Sequence, residues 1–184
     1  MRIQNLAVDG FERVVRAEDP ARGFLGFVAV HDTTLGPALG GLRMWPYAQE
    51  RDALADVLRL AEAMTWKAAA AGLPLGGGKA AVLADARDGG KPARLAAMAE
   101  VIEMLGGAYI TAEDVGVNAE DLTAMRAHTA HVAGLPRSEG GGGDPSPFTA
   151  LGVLESMKVC LAEVFGDPAI KGRRFAIQGL GNVG

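Results

Sequence analysis

The stretch that decides the fold is Lys79 to Asp114, "KAAVLADARDGGKPARLAAMAEVIEMLGGAYITAED". Its first seven residues are a short apolar run ending in turn formers, the pattern of a buried strand. Apolar residues then recur at threes and fours from Leu95 to Leu105, with Pro92 near the start of the run and Gly106 past its end, which is how a helix is punctuated. "AYITAED" reads as strand again. Strand, helix and strand in about 36 residues make a βαβ unit, whose crossover joins parallel strands. The fold class expected is therefore α/β: a mostly parallel or mixed sheet flanked by helices.

Working upstream, Glu50 to Ala71 carries Leu54, Val57, Leu58, Ala61, Met64 and Ala68 at helical spacing, and Gly72 with Pro74 ends it. "GPALGGLRMWPY" (Gly36 to Tyr47) and "GFLGFVAVHD" (Gly23 to Asp32) read as extended. Downstream, Asn118 caps a helix with Asp121 three residues on, and "HVAGL" (His131 to Leu135) suggests a further strand. "RSEGGGGDPSP" (Arg137 to Pro147) interrupts all regular structure. Phe148 to Phe165 is helical, and Arg174 to Gln178 reads as a buried strand leading into Gly179, Gly181 and Gly184 of a G-x-G-x-x-G. The organisation expected is a first domain over 1–136, a glycine- and proline-rich loop over 137–147, a connecting helix over 148–166, and the first strand and turn of a nucleotide-binding domain over 172–184. The helix and acidic residue that complete such a site do not follow Gly184 in the sequence, so the chain is expected to bind a dinucleotide poorly by itself.

Composition narrows the partners. With 49% apolar and 22% charged residues and a net charge of −4, the chain has a globular composition and no basic stripe for nucleic acid. No stretch approaches a membrane span and the first residues lack a signal-peptide core, so a cytoplasmic protein is expected. The single Cys160 is expected to be a small buried hydrophobe rather than a nucleophile.

Several residues invite chemistry. Lys67 ends its helix among alanines; it is either a ligand cation or a lysine with its stem laid on apolar surface. Lys79 follows three glycines, which would let a ligand approach the backbone; this is no P-loop, since Ala80 stands where Ser or Thr is required. Asp114 closes a strand, the end at which α/β folds hold ligands, though a turn aspartate has the same signature. Gly40 and Gly41 in "ALGGLR" offer main-chain N–H groups to a carboxylate. His128 and His131 are three apart without further ligands, and no metal is expected. One difficulty stands out. If Lys79 starts one strand and Asp114 ends a parallel one, the two lie roughly 15 Å apart at ~3.3 Å per residue.

"GPALGGLRMWPY", "MTWKAAAAGLPLGGGKAAV", "TAEDVG", "GGGGDPSPFTALGV" and "GLGNVG", in that order, resemble the glutamate/leucine/phenylalanine/valine dehydrogenase family, and within it most nearly the leucine branch. That resemblance implies an N-terminal substrate domain followed by a Rossmann domain that binds NAD, in a homo-oligomer acting on a small amino acid or 2-oxo acid. It implies that Lys67, with the backbone of Gly40 and Gly41, holds the substrate carboxylate. Lys79 is then the catalytic lysine, with a proton made labile by the nearby Lys67, and Asp114 the acid/base. Leu39 and Ala112 line the side-chain pocket, Thr149 contacts the nicotinamide, and Gly179, Gly181 and Gly184 hold the pyrophosphate. Leucine is the favoured substrate, with valine and phenylalanine as alternatives; Asp144 departs from the asparagine usual in the leucine branch. A non-catalytic module that binds amino or 2-oxo acids, or that only assembles with its own copies, is the competing reading.

Overall fold

The computed structural model describes residues 1–184 and divides after Gly141 into two units. The first contains six strands, β1 (Arg2–Leu6), β2 (Arg13–Asp19), β3 (Phe24–Asp32), β4 (Ala38–Trp45), β5 (Gly76–Leu83) and β6 (Tyr109–Ala112). Its helices are α1 (Glu50–Ala70), α2 (Lys91–Met104) and α3 (Ala119–Met125); α4 (Ser146–Phe165) belongs to the second unit. The strands form one mixed sheet in the order β1-β2-β3-β5-β4-β6. Pairing is antiparallel from β1 through β3 to β5, and parallel where β4 meets β5 and β6. The structure is thus α/β with a mixed sheet, and its parallel part is built by two crossovers. Helix α1 connects the neighbours β4 and β5, whereas α2 carries the chain from β5 over β4 to β6.

Alternation along the strands sends successive side chains to opposite faces, and each face has its own core. On one, Val14, Phe27, Ala29 and Ala81 pack with Ala53, Val57 and Ala61 of α1. On the other, Val28, Leu42, Met44, Ala80 and Val82 pack with Leu95, Met98 and Ile102 of α2 and with Tyr109 and Leu122. Small residues dominate the contact between α1 and β5, so the helix lies close on the strand. Helix α3 starts with a reciprocal capping box between Asn118 and Asp121, as the sequence implies.

Some expectations need correction. β5 begins at Gly76, not at Lys79: the three glycines are strand, not loop. The β1–β2 hairpin has no counterpart in the sequence reading, because β1 buries almost nothing and so lacks an apolar pattern. "HVAGL" contributes only an isolated bridge, Val132 to Thr111. Helix α3 ends at Met125, so His128 and His131 share no helix face. Arg174 to Gln178 forms no strand. A strand interior depends on ladder partners, and none of the six strands pairs with this segment. Cys160 is exposed on α4 rather than buried, beside Val159, which is exposed as well. No helix is long and apolar enough to cross a membrane.

Candidate active site

Register brings the site together. Leu39 pairs with Gly77 and Leu42 with Ala80, which sets Gly41 level with Lys79; on its other side Gly41 pairs with Ala112. Lys79, Gly41 and Ala112 therefore form one row across three parallel strands, all facing the α1 side of the sheet. The expected separation of Lys79 from Asp114 disappears because Lys79 is the fourth residue of its strand rather than the first. Beyond Ala112 the chain folds back over β4. A Cβ on Gly41 would lie 2.6 Å from the Glu113 carbonyl oxygen and 2.8 Å from the Asp114 Cβ, so only glycine admits this passage. Asp114 thereby reaches Lys79, with Nζ 2.5 Å from Oδ2.

The ammonium is buried, with Lys79 only 7% exposed. Its partner is held from several directions. Asp114 Oδ1 accepts from the Val115 amide at 2.7 Å, in a tight turn closed by the Val117 amide and the Asp114 carbonyl. Oδ2 faces a second cation, Arg43 Nε, at 3.3 Å. Arg43 Nε has no aligned hydrogen bond, so its approach to Oδ2 is an ion contact rather than a hydrogen bond. Burial pushes the Asp114 carboxyl up, but the Lys79 ammonium, the Val115 amide and the Arg43 charge outweigh it and hold it below the usual carboxylate value.

Arg43, Asp56 and Tyr47 are the part of the site that the sequence reading missed. Arg43 lies two residues beyond Gly41, on the same face, and donates through Nη1 to Asp56 Oδ2 of α1 at 2.7 Å. Tyr47 donates its hydroxyl to the same oxygen at 2.7 Å, and Arg59 donates to Oδ1 at 2.7 Å. Burial and this bond to Asp56 push the Tyr47 phenol well above its ordinary value, so it stays a donor. Arg43, Tyr47 and Asp56, with Trp45, Asp52 and Val115, line a cavity of about 480 Å³. The offset of Arg43 from Gly41 was a readable signal; nothing local marks Asp56 as its partner.

The other expected residues divide. Leu39 lies on the α1 face with Gly41, and both Leu39 and Ala112 are partly exposed, as pocket residues must be. Gly40 faces the other way: its carbonyl accepts the buried Tyr109 hydroxyl at 2.6 Å, and a Cβ there would strike the Gly78 carbonyl. Lys67 is exposed in the last turn of α1. Eleven residues separate it from Asp56, which at 3.6 residues per turn returns it to within ~20° of the same helix flank, about 16 Å further along. Thr149, in the first turn of α4, donates its hydroxyl to the Pro145 carbonyl at 3.1 Å. Asp144 accepts the Ser146 amide at 2.8 Å and is held below its usual value by the hydrogen bonds of Ser146. Around Gly179 and Gly181 there is open space, while a Cβ on Gly184 would meet the Gly179 carbonyl at 2.2 Å. This turn closes on itself, and the segment before it forms no strand.

Residues 11–131 match the family described as Glu/Leu/Phe/Val dehydrogenase, dimerisation domain. The chain belongs to the Glu/Leu/Phe/Val dehydrogenase family. It is 46% identical over 173 residues to a leucine dehydrogenase of Thermoactinomyces intermedius, covering 94% of this chain and 47% of that one. A phenylalanine dehydrogenase of Lysinibacillus sphaericus is 43% identical over 173 residues, with 94% of this chain and 45% of that one covered. Among solved structures, the L-tryptophan dehydrogenase of Nostoc punctiforme superposes with a TM-score of 0.70 at 36% identity, over 95% of this chain and 49% of that one. The chain thus spans about half the length of the curated relatives it matches.

Proposed function

We propose that this chain supplies the substrate side of an amino-acid dehydrogenase that deaminates a branched-chain L-amino acid, leucine first, to its 2-oxo acid and ammonia. The observation that carries the reading is the buried Lys79 ammonium held against Asp114 above a glycine floor, with partly exposed Leu39 and Ala112 beside it. Its likeness to leucine and phenylalanine dehydrogenases supports an apolar amino-acid substrate. NAD is the proposed hydride acceptor, and its nicotinamide supplies the oxidation of the amine to an iminium. This chain's own residues perform the hydrolysis that follows.

Water adds to the iminium carbon as Asp114 Oδ2 takes its proton, giving a carbinolamine. Lys79 stabilises the new oxygen by donating a hydrogen bond from a site shielded from bulk water, where that interaction is strongest. Asp114 returns the proton to nitrogen. It then accepts the hydroxyl proton as the C–N bond breaks, leaving the 2-oxo acid and ammonia, which takes that proton as ammonium. Lys67, on the α1 flank shared with Asp56, binds the substrate carboxylate. Leu39 and Ala112 accept the side chain, discriminating by only ~1–3 kcal/mol per methylene, so leucine, isoleucine and valine all fit.

The test is calorimetric titration of the chain with 4-methyl-2-oxopentanoate, together with NADH formation from L-leucine in protein expressed from its own gene. Binding is expected, to be abolished by Gly41→Ala and weakened about 10-fold or more by Lys67→Ala. Where turnover is present, Lys79→Ala is expected to remove it with little change in binding. Binding unaffected by Gly41→Ala would move the substrate off this row of residues and sink the assignment.

A further inference from the structure

Asp114 has two cations on one oxygen, and only one of them has a task in the proposed hydrolysis. When Lys79 turns to a substrate oxygen, its hold on Oδ2 loosens. Arg43 cannot follow, because its Nη1 is bonded to Asp56, and Asp56 is itself fixed by Tyr47 and Arg59. Helix α1 therefore anchors the guanidinium, while its Nε remains 3.3 Å from Oδ2. The misalignment of that contact matters. A strong aligned hydrogen bond would occupy the lone pair that must take a proton, whereas an ion contact stabilises the charge and leaves the lone pair available. The Val115 amide fixes Oδ1, so rotation of the carboxylate is restrained at both oxygens.

We propose that Arg43 is a positioning residue for Asp114: anchored to α1 through Asp56, it keeps the carboxylate ionised and aimed while Lys79 engages the substrate. The inference rests on Asp114 being the acid/base. The charged and titratable groups around the carboxylate are Lys79 from β5, Arg43 from β4, the buried Tyr109 phenol from β6, and Asp56, Arg59 and Tyr47 behind Arg43; Glu113 precedes Asp114 in the chain. Of these only Lys79 and Arg43 contact Oδ2 as cations, so removing Arg43 must raise the pH at which Asp114 takes a proton.

The experiment is a ¹³C titration of aspartate carboxyls in the 184-residue chain, with the Asp114 signal assigned by its disappearance in Asp114→Asn. Arg43→Gln is expected to raise the Asp114 midpoint by about one pH unit, and Arg43→Lys, a cation unable to reach both carboxylates, by less than half as much. If Arg43→Gln does not fold, as judged by circular dichroism, Arg43→Lys carries the test through a smaller upward shift. In protein that turns over, Arg43→Gln is expected to lower kcat about 10- to 100-fold, leave KM within about 3-fold, and move the acid limb of the kcat profile up with the carboxyl midpoint. A midpoint and an acid limb both unmoved overturn the role of Arg43. A shifted midpoint, with kcat and its acid limb unchanged in protein that turns over, upholds the contact and refutes the catalytic reading beneath it.

Discussion

The chain has two conspicuous glycine clusters, "GGGK" in β5 and "GLGNVG" at residues 179–184, and they are glycines for different reasons. In β5 the space is already full. A Cβ on Gly77 would lie 2.2 Å from the Thr65 backbone nitrogen and 2.5 Å from the Ala61 carbonyl oxygen of α1, and one on Gly78 would lie 2.6 Å from the Tyr109 ring. At Gly179 and Gly181 a Cβ would meet nothing within 4 Å. Packing dictates the first cluster within this chain. In the second, only Gly184 is required by contact, since a Cβ there would meet the Gly179 carbonyl. Similar composition thus conceals one cluster fixed by helix and ring packing and one whose first two glycines stand in open space.

The largest effect should come from breaking the first cluster. Gly77→Ala must lift α1 from the sheet, because the clash is with helix backbone rather than a flexible side chain, and a loss of about 3 kcal/mol or more, or failure to fold, is expected in urea denaturation. A loss below about 1 kcal/mol would show that α1 does not depend on close approach at this strand.

An intermediate effect should come from the carboxylates of the two regions, Asp114 and Asp144. Both are held below their ordinary values, Asp114 with burial opposed by Lys79, the Val115 amide and Arg43, and Asp144 by hydrogen bonds from Ser146 on the surface. A depressed carboxyl contributes stability above its unfolded pKa of about 3.9 and loses it as pH falls through the folded value. Asp114→Asn is expected to cost about 1–3 kcal/mol at pH 7, since it leaves the Lys79 ammonium buried beside a neutral amide. That difference from the native chain should shrink as pH falls below about 4, where the unfolded carboxyl takes a proton first, and should be lost once pH passes the lower folded value. Urea midpoints at pH 7 and pH 3 for both proteins give the comparison; a difference that grows toward acid would mean that Asp114 is not held ionised by its neighbours.

The smallest effect should be Gly181→Ala, expected within about ±0.5 kcal/mol of the native chain. A cost comparable to that of Gly77→Ala would reveal packing around the terminal turn and erase the contrast between the clusters.

Sequence alone determined the elements that carry their own pattern: the apolar stripe of α1, the capping box of α3, and the βαβ run from Lys79 to Asp114. It also singled out Lys79, Asp114 and Gly41, because strand ends and glycines next to charged residues are local signals, whereas Ala112 came only from the family resemblance. Tertiary structure decided the rest. β1 has no apolar face of its own and exists through pairing with β2, while Arg174 to Gln178 has an apolar pattern but no partner and forms no strand. Register, which no local pattern encodes, set Lys79 level with Gly41 and Ala112 and so closed the apparent 15 Å gap at ~3.3 Å per residue. The anchoring of Arg43 by Asp56 joins a strand to a helix thirteen residues away in sequence. Periodicity reports which way a residue faces within its element; only the packing of one element on another determines what it meets there.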